Sequence, residues 1–288
     1  MQWRTIVRYG AYPLVFGGAA AGVFAAADAA HTAGLRLALT AAGGLLAVAL
    51  LERLQPFRPE WNQDHGDTWT DAIHLLVNLG LLSAAAGLLH ALAGALPATA
   101  PWPRHWPVGV QIIAAGAVVD LGLYAMHRLS HRIAWLWRLH AIHHSAERLY
   151  WMNGERRHPL SAVLLAGPGL AATALLGAPP AVVSAWLTLL TVHLAFQHAN
   201  LDYSLGPLRG ILGVAESHRW HHKREYEDAE VNFGEFWLLW DRLFGTYRDP
   251  RTPLAANAVG LREAGFPATY AAQWRWPFAR RTGRPPPA

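Results

Sequence analysis

The chain has 288 residues, 53% hydrophobic and only 15% charged, with a formal charge of +5 and no cysteine. A soluble domain carries nearer ~25% charged residues, so this composition is short of water-facing surface and points to a membrane protein. Without cysteine, disulfides, thiolate zinc sites and haem–thiolate chemistry are excluded together.

Spanning segments are judged against the roughly 20 apolar residues that cross a bilayer. The first runs from Ala11 to Ala27, the second from Gly34 to Leu51, the third from Ala72 to Leu96 and the fourth from Val108 to Met126. Leu160 to Leu176 and Ala181 to Ala195, joined by Gly177, Ala178, Pro179 and Pro180, read as a re-entrant hairpin that enters and leaves on one side. Arg4 and Arg8 precede the first segment, Arg53 and Arg58 follow the second, and only Arg104 lies in the third loop. Everything after the fourth segment is arginine-rich: Arg128, Arg132, Arg138, Arg148, Arg156, Arg157 and Arg219. By the positive-inside rule, four crossings from a cytoplasmic N-terminus return the chain to the cytoplasm at His127. The first segment also resembles a signal peptide, whose removal leaves the later orientation unchanged. A basic, proline-rich tail from Trp274 is expected to lie disordered on the anionic membrane surface. The basic balance suits nucleic acid or anionic lipid, and the apolar segments decide for lipid, with no nucleic-acid partner.

Three histidine boxes follow the fourth segment: HRLSH from His127, HAIHH from His140 and HRWHH from His218. Residues three and four apart share a helix face, so each box is expected to aim its imidazoles at one point. The eight imidazoles exceed what one structural zinc uses and match two metal ions. Asp120, Tyr124, His127 and His131 form one stripe on the fourth helix. An aspartate inside a span is costly unless paired, and its expected partner is the far ring nitrogen of a ligand histidine or a nearby arginine. A solvated aspartate in a misplaced span is the plainer reading.

These residues, with the landmarks between them, resemble the fatty acid hydroxylase and sterol desaturase superfamily. The resemblance rests on Asp120-x3-Tyr124-x2-His127-Arg128-x2-His131, LWRLHAIHHS from Leu136, QHANL from Gln197, HRWHH from His218, NFG from Asn232 and WDRLFGTY from Trp240. It covers Asp120 to Tyr247, whereas the N-terminal third matches only in being hydrophobic. It implies a non-haem di-iron centre, two iron ions per chain, that activates O2 to hydroxylate or desaturate a lipid C–H bond. Carried over residue by residue, it implies His127, His131, His140, His143, His144, His198, His218, His221 and His222 as metal ligands. His158, Asp120, Asn232 and Asp241 are further candidates, as ligands or as residues that support them. Glu147, Arg157 and Glu216 flank the boxes and are candidates for orienting ligands. His193 reads as a satisfied helix histidine, and His31, His65, His74, His90 and His105 as structural or interfacial.

The expected architecture is an all-α polytopic integral membrane protein of about four transmembrane helices, a re-entrant helical hairpin and a cytosolic helical cap. Residues 1–107 read as N-terminal spans, 108–250 as the catalytic domain and 251–288 as the tail. Expected partners are a membrane lipid substrate, O2 and an external electron donor of ferredoxin or cytochrome type, since no flavin, nicotinamide or haem motif is evident. The expected location is the bacterial inner membrane, with the site facing the cytoplasm. A zinc hydrolase wants an HExxH box, which is missing. A histidine-rich metal-binding or transport protein without oxidase activity wants polar residues spread along several spans, and a haem carrier needs two axial histidines, not eight.

Overall fold

The computed structural model describes residues 2–27, 31–95, 101–249, 254–255 and 257–279. The elements are α1 (Gln2–Ala27), α2 (Ala33–Leu54), α3 (Thr68–Gly94), α4 (Val108–Arg132), α5 (Ala134–His144), α6 (Pro159–Leu175), α7 (Pro180–His198), α8 (Ala215–His221), α9 (Tyr226–Ala229), α10 (Leu239–Leu243) and α11 (Tyr270–Arg275). Among the described residues there is no sheet, only the isolated bridges Pro56–Leu201, Leu212–Trp237 and Lys223–Val259. The chain is all-α and polytopic: α1, α2, α3, α4 and α7 are long and apolar enough to cross a membrane, and α6 is a shorter apolar helix.

Proline opens both helices of the hairpin, at Pro159 and Pro180, where a missing N–H costs nothing. The hairpin includes α7, so five helices have spanning length where about four and a re-entrant pair were expected. Its turn reaches the far end of the bundle, where Arg104, in the loop before α4, donates to the Gly177 carbonyl at 3.0 Å. At the near end, the Ser204 amide donates to the Arg8 carbonyl at 2.8 Å, and Gln55 Nε2 donates to the carbonyls of Arg4 and Asp202 at 3.1 and 2.9 Å. The N-terminus, the end of α2 and the end of α7 therefore share one side.

Helix α4 is the axis, held between α6 and α7 by small residues rather than by hydrophobic transfer, which is weak between helices in lipid. A Cβ on Gly122 would sit 2.6 Å from the Gly169 amide nitrogen, and one on Gly116 would sit 2.6 Å from the Trp186 ring. Gly122→Leu should therefore overpack the α4–α6 crossing and cost about 1–3 kcal/mol. Gly87→Leu, where a Cβ meets nothing within 4 Å, should leave stability unchanged. Thermal unfolding of the two variants in detergent checks the contrast.

The C-terminal part differs from the expected surface tail. Gln273 is buried and its Oε1 lies 2.8 Å from His74 Nε2, while Leu254 and Val259 join Trp61 in a small core. Trp276 packs on Phe266 at 4.7 Å. These apolar and amide groups have protein partners, so the segment through Phe278 is folded. The arginines and prolines of residues 280–288 lie outside the described residues.

Candidate metal centre

The histidines come from four helices that end on one side. His127 and His131 close α4, His140, His143 and His144 close α5, and His198 is the last residue of α7. His218 and His221 lie on α8 and His222 caps it. All nine are buried. They form two groups, His127, His131, His140, His144 and His221 in one and His143, His198, His218 and His222 in the other, each with ligand atoms within 4.8 Å of one another.

The expectation that each box aims at one point holds for the α4 box, whose His127 and His131 share the first group, and is corrected for the other two. In the α5 box the i, i+4 pair, His140 and His144, joins the first group and His143 the second. The α8 box reverses this, with His218 and His222 in the second group and His221 in the first. Helix geometry requires the split. Adjacent residues lie about 100° apart around the axis, so His143 and His144 turn to different groups.

The donor set fits two metal ions. The Nε2 atoms of His127, His131 and His221 and both ring nitrogens of His143 are buried without a hydrogen-bond partner. Elsewhere nitrogens face one another: His198 and His218 Nε2 at 2.9 Å, His222 and His218 Nε2 at 3.0 Å, His140 and His144 Nε2 at 3.2 Å. Two ligands at right angles on a metal with bonds of about 2.1 Å would stand about 3.0 Å apart. Burial, with help from neighbouring imidazoles, holds His140, His143, His144, His218 and His222 well below the ordinary histidine range. Burial does the same for His221. They are neutral at physiological pH, the protonation state that a metal requires.

Several rings are fixed by what lies behind them. His127 Nδ1 donates to the Phe233 carbonyl at 2.9 Å, with Glu235 Oε1 at 3.6 Å. His221 Nδ1 lies 3.0 Å from the carbonyls of both Ala229 and Val231, and His131 Nδ1 is 3.9 Å from Glu230. His198 Nδ1 donates to Asn153 Oδ1 at 3.1 Å. The Asn153 amide is itself pinned, accepting from the Tyr150 amide at 3.2 Å and donating to the Arg148 carbonyl at 2.6 Å. Each donation at Nδ1 leaves the Nε2 lone pair free to face the centre. Asn153→Ala should lower metal affinity by roughly 10–100-fold, and Asn153→Asp, which keeps an acceptor, should recover part of it. A chelator competition on purified protein measures both.

The further candidates are placed as follows. Asp120 meets no histidine and no arginine: its carboxylate accepts from the amides of Phe236 and Trp237 at 2.8 and 3.1 Å and from Trp240 Nε1 at 2.9 Å. Buried at mid-helix, it binds donors that a loop brings to it. Asp241 accepts from the Phe233 and Gly234 amides, both at 2.8 Å, and from the Thr246 hydroxyl at 2.6 Å, so it shapes the turn whose carbonyl orients His127. Asn232, at φ 56°, bonds the Ser217 and Arg248 carbonyls and the Arg248 amide. His158 caps α6 by accepting from the Leu160 amide, and its Nε2 lies 3.0 Å from the Trp274 carbonyl. Glu155 and His158 have the Glu-x-x-His spacing of carboxylate-bridged di-iron bundles, which use two such motifs; here the histidine faces away from both groups.

Of the flanking charges, Arg157 pairs with buried Glu235 at 3.3 Å beside His127, whereas Glu147 pairs with Arg224 and Glu216 accepts from Ser204 and the Leu205 amide. His193 is satisfied as expected, by the Tyr12 hydroxyl and the Gly213 carbonyl. Sequence reasoning missed Asn153, Glu235 and Glu52. Glu52 alone carried a signal, a carboxylate in the last turn of an apolar span; it accepts from the amides of Trp151 and Asn200, both at 3.0 Å.

Comparison with known proteins agrees with this geometry. The fatty acid hydroxylase family profile matches residues 112–246. An ornithine lipid hydroxylase of Rhizobium tropici is 34% identical over 251 residues, 81% of this chain and 73% of that protein. The alkylglycerol monooxygenase of Danio rerio is 27% identical over 62% of this chain and 42% of its own length. The Homo sapiens alkylglycerol monooxygenase is 29% identical over 51% and 32%. The chain therefore spans less than half of these longer relatives. No solved structure matches significantly.

Proposed function

We propose, from the premise that this chain belongs to the fatty acid hydroxylase family, that it hydroxylates a membrane lipid carrying an amino-acid headgroup. Membership makes it an oxidoreductase of the hydroxylase type. The observation that carries the reading is the pair of buried histidine groups with ring nitrogens left without protein partners. The headgroup class is taken from the ornithine lipid hydroxylase, which aligns over 73% of its own length.

Two iron ions, held by His127, His131, His140, His144 and His221 and by His143, His198, His218 and His222, would supply O2 activation strong enough for an unactivated C–H bond. Everything else falls to the chain. Neutral imidazoles bind without adding charge, and the buried Glu235 lies behind the first group to offset part of the metal charge. Asn153 and the carbonyls of Phe233, Ala229 and Val231 fix ring orientation. Phe233, packed 5.2–5.6 Å from the rings of His127, His131 and His221, excludes water from the first group. The lipid enters laterally from the bilayer, and electrons come from an external ferredoxin or cytochrome-type donor. The arginine-rich loops support a site on the cytoplasmic side of a bacterial inner membrane.

The test expresses the chain with added iron and analyses the membrane lipids under isotopically labelled O2. An amino-acid lipid that gains one oxygen atom from O2 supports the reading. Loss of two hydrogens would make the enzyme a desaturase, and oxygenation confined to ether lipids would overturn the headgroup assignment. An unchanged lipidome with iron bound and reductant supplied would overturn the activity.

A further inference from the structure

We propose that two strips of the cap, residues 206–213 and 234–244, are inserted into the acyl-chain region of the leaflet on the metal side. Their outer face is then a docking surface for lipid chains. The strips lie edge to edge, joined by the Leu212–Trp237 bridge, the Leu238 amide on the Ile211 carbonyl at 2.8 Å and Arg242 Nε on the Gly210 carbonyl at 2.7 Å. Apart from Pro207 and Arg242, their exposed side chains are large and apolar: Leu208, Ile211, Leu239, Leu243 and Phe244 are 52%, 47%, 50%, 69% and 48% exposed. Water would not tolerate such a patch on a cytosolic cap without a partner.

Three contacts give the depth. The Phe236 and Trp237 amides bind Asp120, and Trp237 stacks on Trp186 at 5.0 Å. Both Asp120 and Trp186 stand twelve residues before the metal-side ends of α4 and α7, about 18 Å back along each axis. Phe236 meets Phe16, in the middle of α1, at 5.8 Å. Helix α4 is about 37 Å long against a hydrocarbon core of about 30 Å. Even if the whole surplus projects on the metal side, the Asp120 contact lies about 11 Å inside the core.

Irregular backbone survives at that depth only where its polar groups are satisfied. Here the amides of Phe233 and Gly234 are met by Asp241, those of Phe236 and Trp237 by Asp120, and that of Leu238 by Ile211. Gln197 Nε2 covers the carbonyls of Gly234 and Glu235. The apolar face continues the lipid-facing side of α4, where Leu121 and Leu129 are 39% and 41% exposed. Arg209, beside Leu208 and paired with Asp249 at 3.2 Å, is placed to reach anionic headgroups. Acyl chains are thus the occupant.

The insertion brings lipid close to the metal centre. Phe244 stacks on Tyr124 at 5.5 Å, Tyr124 meets Phe233 at 6.4 Å, and Phe233 touches the first histidine group. One row of aromatic rings separates the bilayer from that group.

The absence of cysteine allows a clean test on the full chain. Leu239→Cys and Leu243→Cys, spin-labelled and reconstituted in phosphatidylethanolamine–phosphatidylglycerol vesicles, are compared with Leu121→Cys on α4 and Glu227→Cys on the exposed side of the cap. The ratio of collisions with O2 to collisions with a water-soluble nickel complex is expected to match Leu121 and to exceed that at Glu227 several-fold. A ratio like that at Glu227 would place the strips in water. Shielding from both reagents would mean that a second copy or a protein partner covers them. Either result overturns the proposal, and neither depends on the enzyme's substrate.

Discussion

His221→Ala is expected to abolish hydroxylation, with at least a hundredfold loss of turnover, and to strip the first histidine group of its metal. The ring offers that group a buried Nε2 with no other partner, and the carbonyls of Ala229 and Val231 fix its orientation. Losing a residue that only supports a ligand costs roughly 10–100-fold in metal affinity, and losing the ligand costs more. Metal content per chain and product formation are measured together on protein that elutes as a folded species. Unchanged metal and turnover would remove His221 from the ligand set.

Asp120→Ala should be the most damaging change away from the histidines. It abandons three donors, the Phe236 and Trp237 amides and the Trp240 indole. Each buried donor left unmet costs about 1–3 kcal/mol, so the sum approaches the roughly 5–15 kcal/mol that holds a protein together. A fall in unfolding temperature of roughly 10 °C or more follows from about 2–4 °C per kcal/mol. Metal should go with it, because the same strand-like turn carries the Phe233 carbonyl to His127. Asp120→Asn keeps one acceptor and should fall in between. An Asp120→Ala protein as stable as the parent would mean that the loop does not depend on this carboxylate.

What could be read from the residues followed from periodicity. Apolar runs marked the spans, because bilayer thickness acts on local sequence. Eight of the nine histidines stood out because ligand spacing on a helix is also local, whereas His198 rested on the resemblance carried by QHANL. The division of the α5 and α8 boxes between two groups was available from the same geometry, since neighbours on a helix diverge by about 100°. Partners far apart in the chain were not available. Asp120 and Phe236 are 116 positions apart and His198 and Asn153 are 45 apart, and no pattern within either segment announces the other. The tail misled for a related reason: its composition is that of a surface segment, while Gln273 and Trp276 have partners only tertiary structure supplies.

The crossed sharing of the α5 and α8 boxes bears on how the protein is made and how long it lasts. Neither histidine group can be completed by a local stretch of chain, and both draw on the same two short helices. An ion held in one group would therefore order three of the donors of the other, so loading would be cooperative. Chains made without metal would keep their transmembrane bundle but carry a loosened cap, open to membrane proteases.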